Sequence, residues 1–220
     1  MYYDPSVRYK QVMQRYPVHR TQGEQDEFVR MIAAAFDGLP DLSAFADFSI
    51  SMLIDYIRRT HIFYLDTKLP EIAQTILSLQ GVTDADRRLL LLLETSFTLY
   101  YRKLDNHIRK EETLLLPYIE ELCRRIERPG EFIRNSNWYH YSLDAFEQAH
   151  EDTEADLAEM RGYIKEYRPS DTDLSPYRIL VAKLEVFEQD LEVHAFIEDE
   201  VLIPKARGVE VQLRQRLPEY

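Results

Sequence analysis

Residues 107 to 117 read HIRKEETLLLP, and residues 194 to 204 read HAFIEDEVLIP. In each segment a histidine is followed four residues later by a glutamate, His107 by Glu111 and His194 by Glu198, and an aliphatic stretch then runs into Pro117 or Pro204. On a helix, positions i and i+4 project from nearly the same face, about 6 Å apart along the axis. Each segment therefore offers one imidazole nitrogen and one carboxylate in a common direction. Two further histidines, His61 and His150, fall on the apolar faces of other helical stretches. A set of imidazoles and carboxylates without a thiolate suits iron or manganese, and also zinc, better than copper(I) or an iron-sulfur cluster. Two glutamates able to bridge point to two metal ions rather than one.

A single histidine on an apolar face is usually a hydrogen-bonded core residue, and a single His-x-x-x-Glu is usually a helix surface pair. Repetition shifts the balance. Four of the 6 histidines lie one to each long helical stretch, and burying that many polar groups without a shared partner would be costly. His19 and His140 show no such pattern and read as surface residues. The His-Glu-x-x-His signature of zinc proteases is absent, as is a glycine-rich phosphate loop. The Glu-x-x-His pair of ferritin-like sites occurs once, from Glu147 to His150.

The elements that must position these residues are long and amphipathic. The first runs over residues 48–79, with Ile50, Leu53, Ile54, Ile57, His61, Tyr64 and Leu65 recurring on one face. Pro70 lies inside it and should bend or locally break it, because apolar periodicity resumes at Ile72 and Ile76. Gly81 stops that helix, and TDAD from Thr83 has the form of a capping box opening the second, which is interrupted at Pro117. After a Pro-Gly loop the third helix covers residues 143–167, and the fourth covers 177–206. Short connections between four such helices predict an all-α fold, an antiparallel four-helix bundle at residues 46–207. A small helical N-terminal cap should occupy residues 1–45, and a tail residues 208–220.

Composition bounds the function. Asp and Glu outnumber Lys and Arg 39 to 27, a net charge of −12 that would repel a phosphate backbone, so nucleic acid is not an expected partner. The longest apolar run, Leu89 to Leu93, is too short to cross a bilayer, and the N-terminal MYYDPSVRYK lacks a signal-peptide core. A single cysteine, Cys123, excludes an internal disulfide and reads as a packing residue. A cytoplasmic protein with no membrane partner is expected.

The segments RTHIFYLDTKLPEI, NHIRKEETLLLPYI, FEQAHEDTEADL and VHAFIEDEVLIPKA resemble, in order and spacing, the four helix motifs of hemerythrin-like (HHE) cation-binding domains. Within them the chain is most similar to the di-iron proteins for repair of iron centres, which restore iron-sulfur clusters after nitrosative or oxidative damage. The resemblance implies a non-haem pair of iron ions, oxo- or hydroxo-bridged, with His61, His107, His150 and His194 as terminal ligands and Glu111 and Glu198 as bridges. Tyr64 stands where repair proteins often carry a second histidine. The GVTDADRR stretch lacks their second-helix histidine, leaving Asp84 or an open position in its place, and residues 1–45 lack their cysteine pair.

A stress protein that repairs iron-sulfur clusters, or supplies iron to them, is therefore the leading expectation, with iron-sulfur client proteins as partners. A carrier or sensor of O2 or NO at the same metal pair is the alternative, and peroxide is a further small ligand of such a site. A metal-free helical interaction protein is the third reading. Tyr64, Tyr100 and Tyr101 fall near the expected ligands, where packing is their commoner role and hydrogen bonding to the ligands the functional one.

Overall fold

The computed structural model describes residues 27, 28, 30–32, 34, 45, 47–79, 84–128, 142–144, 146, 162 and 175–216. Every regular element among them is helical, which bears out the all-α fold class. Helix α1 spans Ile50–Phe63, α2 Leu69–Ser78, α3 Asp84–Lys110, α4 Leu116–Glu127, α5 Ser175–Ala195 and α6 Ile203–Arg216. The third long helix of the sequence reading, with His150, lies outside the described residues except for helical positions at 143, 144, 146 and 162.

These helices join in pairs through π-helical turns: π1 at Tyr64–Lys68 between α1 and α2, π2 at Glu111–Leu115 between α3 and α4, and π3 at Phe196–Leu202 between α5 and α6. A proline follows each turn, Pro70, Pro117 and Pro204. Proline has no amide hydrogen, and its ring crowds the carbonyl four residues back, so an uninterrupted α-helix cannot pass through it. The chain widens by one residue instead. In all three cases the amide just before the proline reaches back five residues: Leu69 donates to the Tyr64 carbonyl, Leu116 to Glu111 and Ile203 to Glu198. The expected break at Pro70 and interruption at Pro117 are thus local widenings inside continuous helices.

The second helix begins at Asp84, where the capping signal placed it. The last runs past its expected end at Ala206 to Arg216, because buried Glu210 and Leu213 carry an inward-facing stripe beyond Gly208.

The chain divides into two compact units, one of Met1–Arg59, Ile108–Glu151 and His194–Tyr220, the other of Thr60–His107 and Asp152–Val193. In the first, Phe28 packs edge-on against Phe48 and Tyr56, with ring centroids 4.8 and 5.5 Å apart, and Phe45 meets Phe196 at 6.0 Å. The Lys205 ammonium donates to the Phe48 carbonyl at 2.6 Å, and Arg58 grips both carboxylate oxygens of Glu120 at 2.6 and 3.0 Å. In the second unit Phe187 lies edge-on to Tyr64 and Tyr100, at 5.3 and 6.4 Å.

A buried polar pair ties α4 to α6: the Tyr118 hydroxyl donates to Glu210 Oε1 at 2.6 Å, and Arg214 holds the same oxygen at 3.1 Å. Burial, then the hydrogen bond to Glu210, holds the phenol well above its ordinary value of 10.0. As pH rises the unfolded chain releases this proton first, so the stability it contributes is complete below about pH 10 and lost above it. Tyr118→Phe is expected to cost about 1–2 kcal/mol in urea denaturation at neutral pH, since Glu210 loses a buried donor. The variant should also lose less stability than the wild type between pH 10 and 11.5; parallel losses would refute the assignment.

Candidate metal centre

One group of metal-capable side chains stands out among the described residues: His61 from α1, Glu111 from π2, His194 from α5 and Glu198 from π3. One donor atom from each lies within 4.8 Å of all the others. Their relative exposures are 2 % for His61, 0 % for Glu111, 7 % for His194 and 2 % for Glu198, values almost never found for charged residues unless they are paired or hold a metal. Both oxygens of Glu111, Oε1 of Glu198 and Nε2 of His61 are sealed from solvent.

Local sequence explains how the donors arrive there. Glu111 opens π2, Glu198 lies within π3, and each lends its carbonyl to the widened turn ahead of the proline. The proline thus determines which way the carboxylate one and a half turns earlier is presented. Nε2 of His194 stands 3.5 Å from Glu198 Oε2, as the four-residue spacing predicts. The His194 ring lies 6.4 Å from that of Tyr56, whose own ring is buried in the phenylalanine cluster. Glu112, next to Glu111, faces outward and takes a 3.3 Å ion pair from Arg58, while Glu200 is exposed.

The remaining sequence candidates divide. His107 is half-buried on α3 and is not a member of the four-residue group, although its segment copies that of His194. His150 lies outside the described residues, and the side chain of Asp84 does too. Tyr64 and Tyr100 are buried, and Tyr101 is half-buried with its hydroxyl 3.5 Å from the Leu65 carbonyl. Sequence reasoning took the prolines as interruptions and missed their part in aiming the glutamates. The signal was present, because Glu111 to Pro117 and Glu198 to Pro204 have the same separation.

The donor set fits a metal ion. Two imidazoles and two carboxylates without a thiolate are the ligands of non-haem iron, manganese or zinc, and a cation among buried carboxylates offsets their mutual repulsion and lost hydration. No described helix is long and apolar enough to cross a membrane.

No curated protein and no solved structure matches the chain significantly. The family model of the hemerythrin HHE cation binding domain matches residues 68–206, a range that includes both His-x-x-x-Glu-to-proline segments. With that match over most of its length, and with the buried histidines and glutamates gathered in one place, the chain belongs to the hemerythrin HHE cation-binding family.

Proposed function

We propose that this protein is a non-haem di-iron protein of the stress response, which supports the repair of damaged iron-sulfur clusters or delivers iron to them. The observation that carries the metal reading is the convergence of four buried donors, two imidazoles and two carboxylates, within 4.8 Å. In this reading Glu111 and Glu198 are the bridging carboxylates, and His61, His107, His150 and His194 are terminal ligands. The repair role rests on the resemblance of the four helix segments to repair proteins. A cytoplasmic location accords with it.

Iron held by these residues would supply coordination positions for a small molecule and a reversible change of charge. The protein's part is to hold the ions and keep bulk water away. The two carboxylates would offset part of the metal charge, His61 and His194 would fix its position from separate helices, and the burial of all four donors would limit access to small species. That restriction favours a second reading, in which the site carries or senses O2 or NO without turnover.

Reconstitution with ferrous iron under anaerobic conditions should yield about two iron ions per chain. Elemental analysis that finds none overturns the proposal. Restoration of a nitrosatively damaged iron-sulfur protein by the loaded chain would support repair. Stoichiometric NO binding with no restoration would establish the carrier or sensor reading instead.

Glu111→Gln or Glu198→Gln should lose at least one metal ion, whereas Glu112→Gln and Glu200→Gln should retain both. Equal losses at all four positions would refute the bridging assignment. Because metal binds the folded state alone, chelation should lower the melting temperature, by an amount that grows with metal affinity. An unchanged melting temperature in protein shown to have held iron would exclude a shared core site.

A further inference from the structure

Tyr64, Glu111 and Glu198 occupy the same place in the three π turns. Each lends its carbonyl to the amide that immediately precedes a proline: Tyr64 to Leu69 before Pro70, Glu111 to Leu116 before Pro117, and Glu198 to Ile203 before Pro204. In two turns the residue so placed is a buried carboxylate of the candidate metal centre; in the third it is a phenol among the largest fully buried side chains of the protein. Tyr64 also follows His61 by three residues, a spacing that puts the two on one side of the helix.

The hydroxyl of Tyr64 is committed. It donates to the Asp190 carbonyl at 3.0 Å, in a buried hydrogen bond. Asp190 lies on α5 one turn before His194. The phenol therefore links the helical turn beside His61 to the turn beside His194, and the edge of Phe187, 5.3 Å away, holds its ring in place.

We infer that Tyr64 is a positioning residue of the metal centre, whose hydrogen bond to Asp190 fixes the turn carrying His194 against the turn carrying His61 and so sets the separation of the two imidazoles. The inference rests on the metal-site reading above. Tyr64 is not itself a ligand, because a metal-bound phenolate has no proton to give and this hydroxyl gives its proton to a carbonyl. A tyrosine that served only to fill space would be replaced by phenylalanine without effect on the metal. One that positions ligands would not, since losing a group that orients metal ligands typically costs about 10- to 100-fold in metal affinity.

The test compares full-length wild type, Tyr64→Phe and Phe187→Leu, each reconstituted with ferrous iron, by the rate of iron loss to a chelator and by the visible absorption spectrum. Tyr64→Phe, which removes one oxygen atom, should release iron about tenfold faster and shift the absorption bands. Phe187→Leu loosens the packing and keeps the hydroxyl; it should lower the melting temperature of the metal-free protein, yet release iron within about twofold of wild type. Wild-type protein that holds iron, together with a Tyr64→Phe variant of unchanged release rate and spectrum, overturns this inference alone. Equal acceleration by Phe187→Leu also overturns it, by assigning the effect to packing. Wild-type protein that takes up no iron overturns the metal-site reading on which it stands.

Discussion

Two glutamates with almost no exposed surface, gathered with two histidines in one small volume, are the constraint on which the rest of the structure depends. Removing a carboxylate from water costs several kcal/mol even after the protein relaxes, and a second carboxylate nearby adds repulsion. Hydrophobic packing cannot offset this, because it has no charge to give. A bound cation can, and imidazole nitrogens complete a donor set that a cation prefers to water. The chemistry of the family and the electrostatics of the interior therefore make the same demand.

Meeting that demand requires side chains from separate helices to be aimed at one point, and proline supplies part of the aim. Removing one amide from each helix and crowding the carbonyl behind it costs local helical stability. In return the chain takes up a π turn at a fixed distance before Pro70, Pro117 and Pro204. The residue whose carbonyl accepts the amide just before each proline is Tyr64, Glu111 or Glu198. The irregularity is thus concentrated where side chains must be presented, as is common for π turns at functional sites.

Around these turns the two units are stabilised by different means. The first relies on its cluster of phenylalanines, the Lys205 contact to the Phe48 carbonyl and the Tyr118–Glu210 pair. Its outer clamp, Arg58 on Glu112 and Glu120, is partly exposed and worth little in isolation. The second unit buries Tyr64, Tyr100 and Phe187, with the Tyr64 hydroxyl donating to the Asp190 carbonyl.

Local periodicity by itself determined much of this protein. It determined the all-α class, the inward face from Leu53 to Tyr64, and the pairing of His194 with Glu198. These features depend on spacing within one helix, where 3.6 residues per turn fixes which side chains are neighbours. What only the tertiary structure decided depends on which faces meet. The copies HIRKEETLLLP and HAFIEDEVLIP look equivalent as text, yet Glu111 joins His61, His194 and Glu198 while His107 stands outside that group. The π turns were legible only as prolines, since the response of a helix to a missing amide depends on the packing on either side of it. The fourth helix outlasted its expected end because buried Glu210 and Leu213 hold the chain beyond Gly208. Tyr64 is one of 15 tyrosines in the sequence. Its tie to Asp190 exists because two segments far apart in the chain are packed together, and no spacing within either segment encodes that meeting.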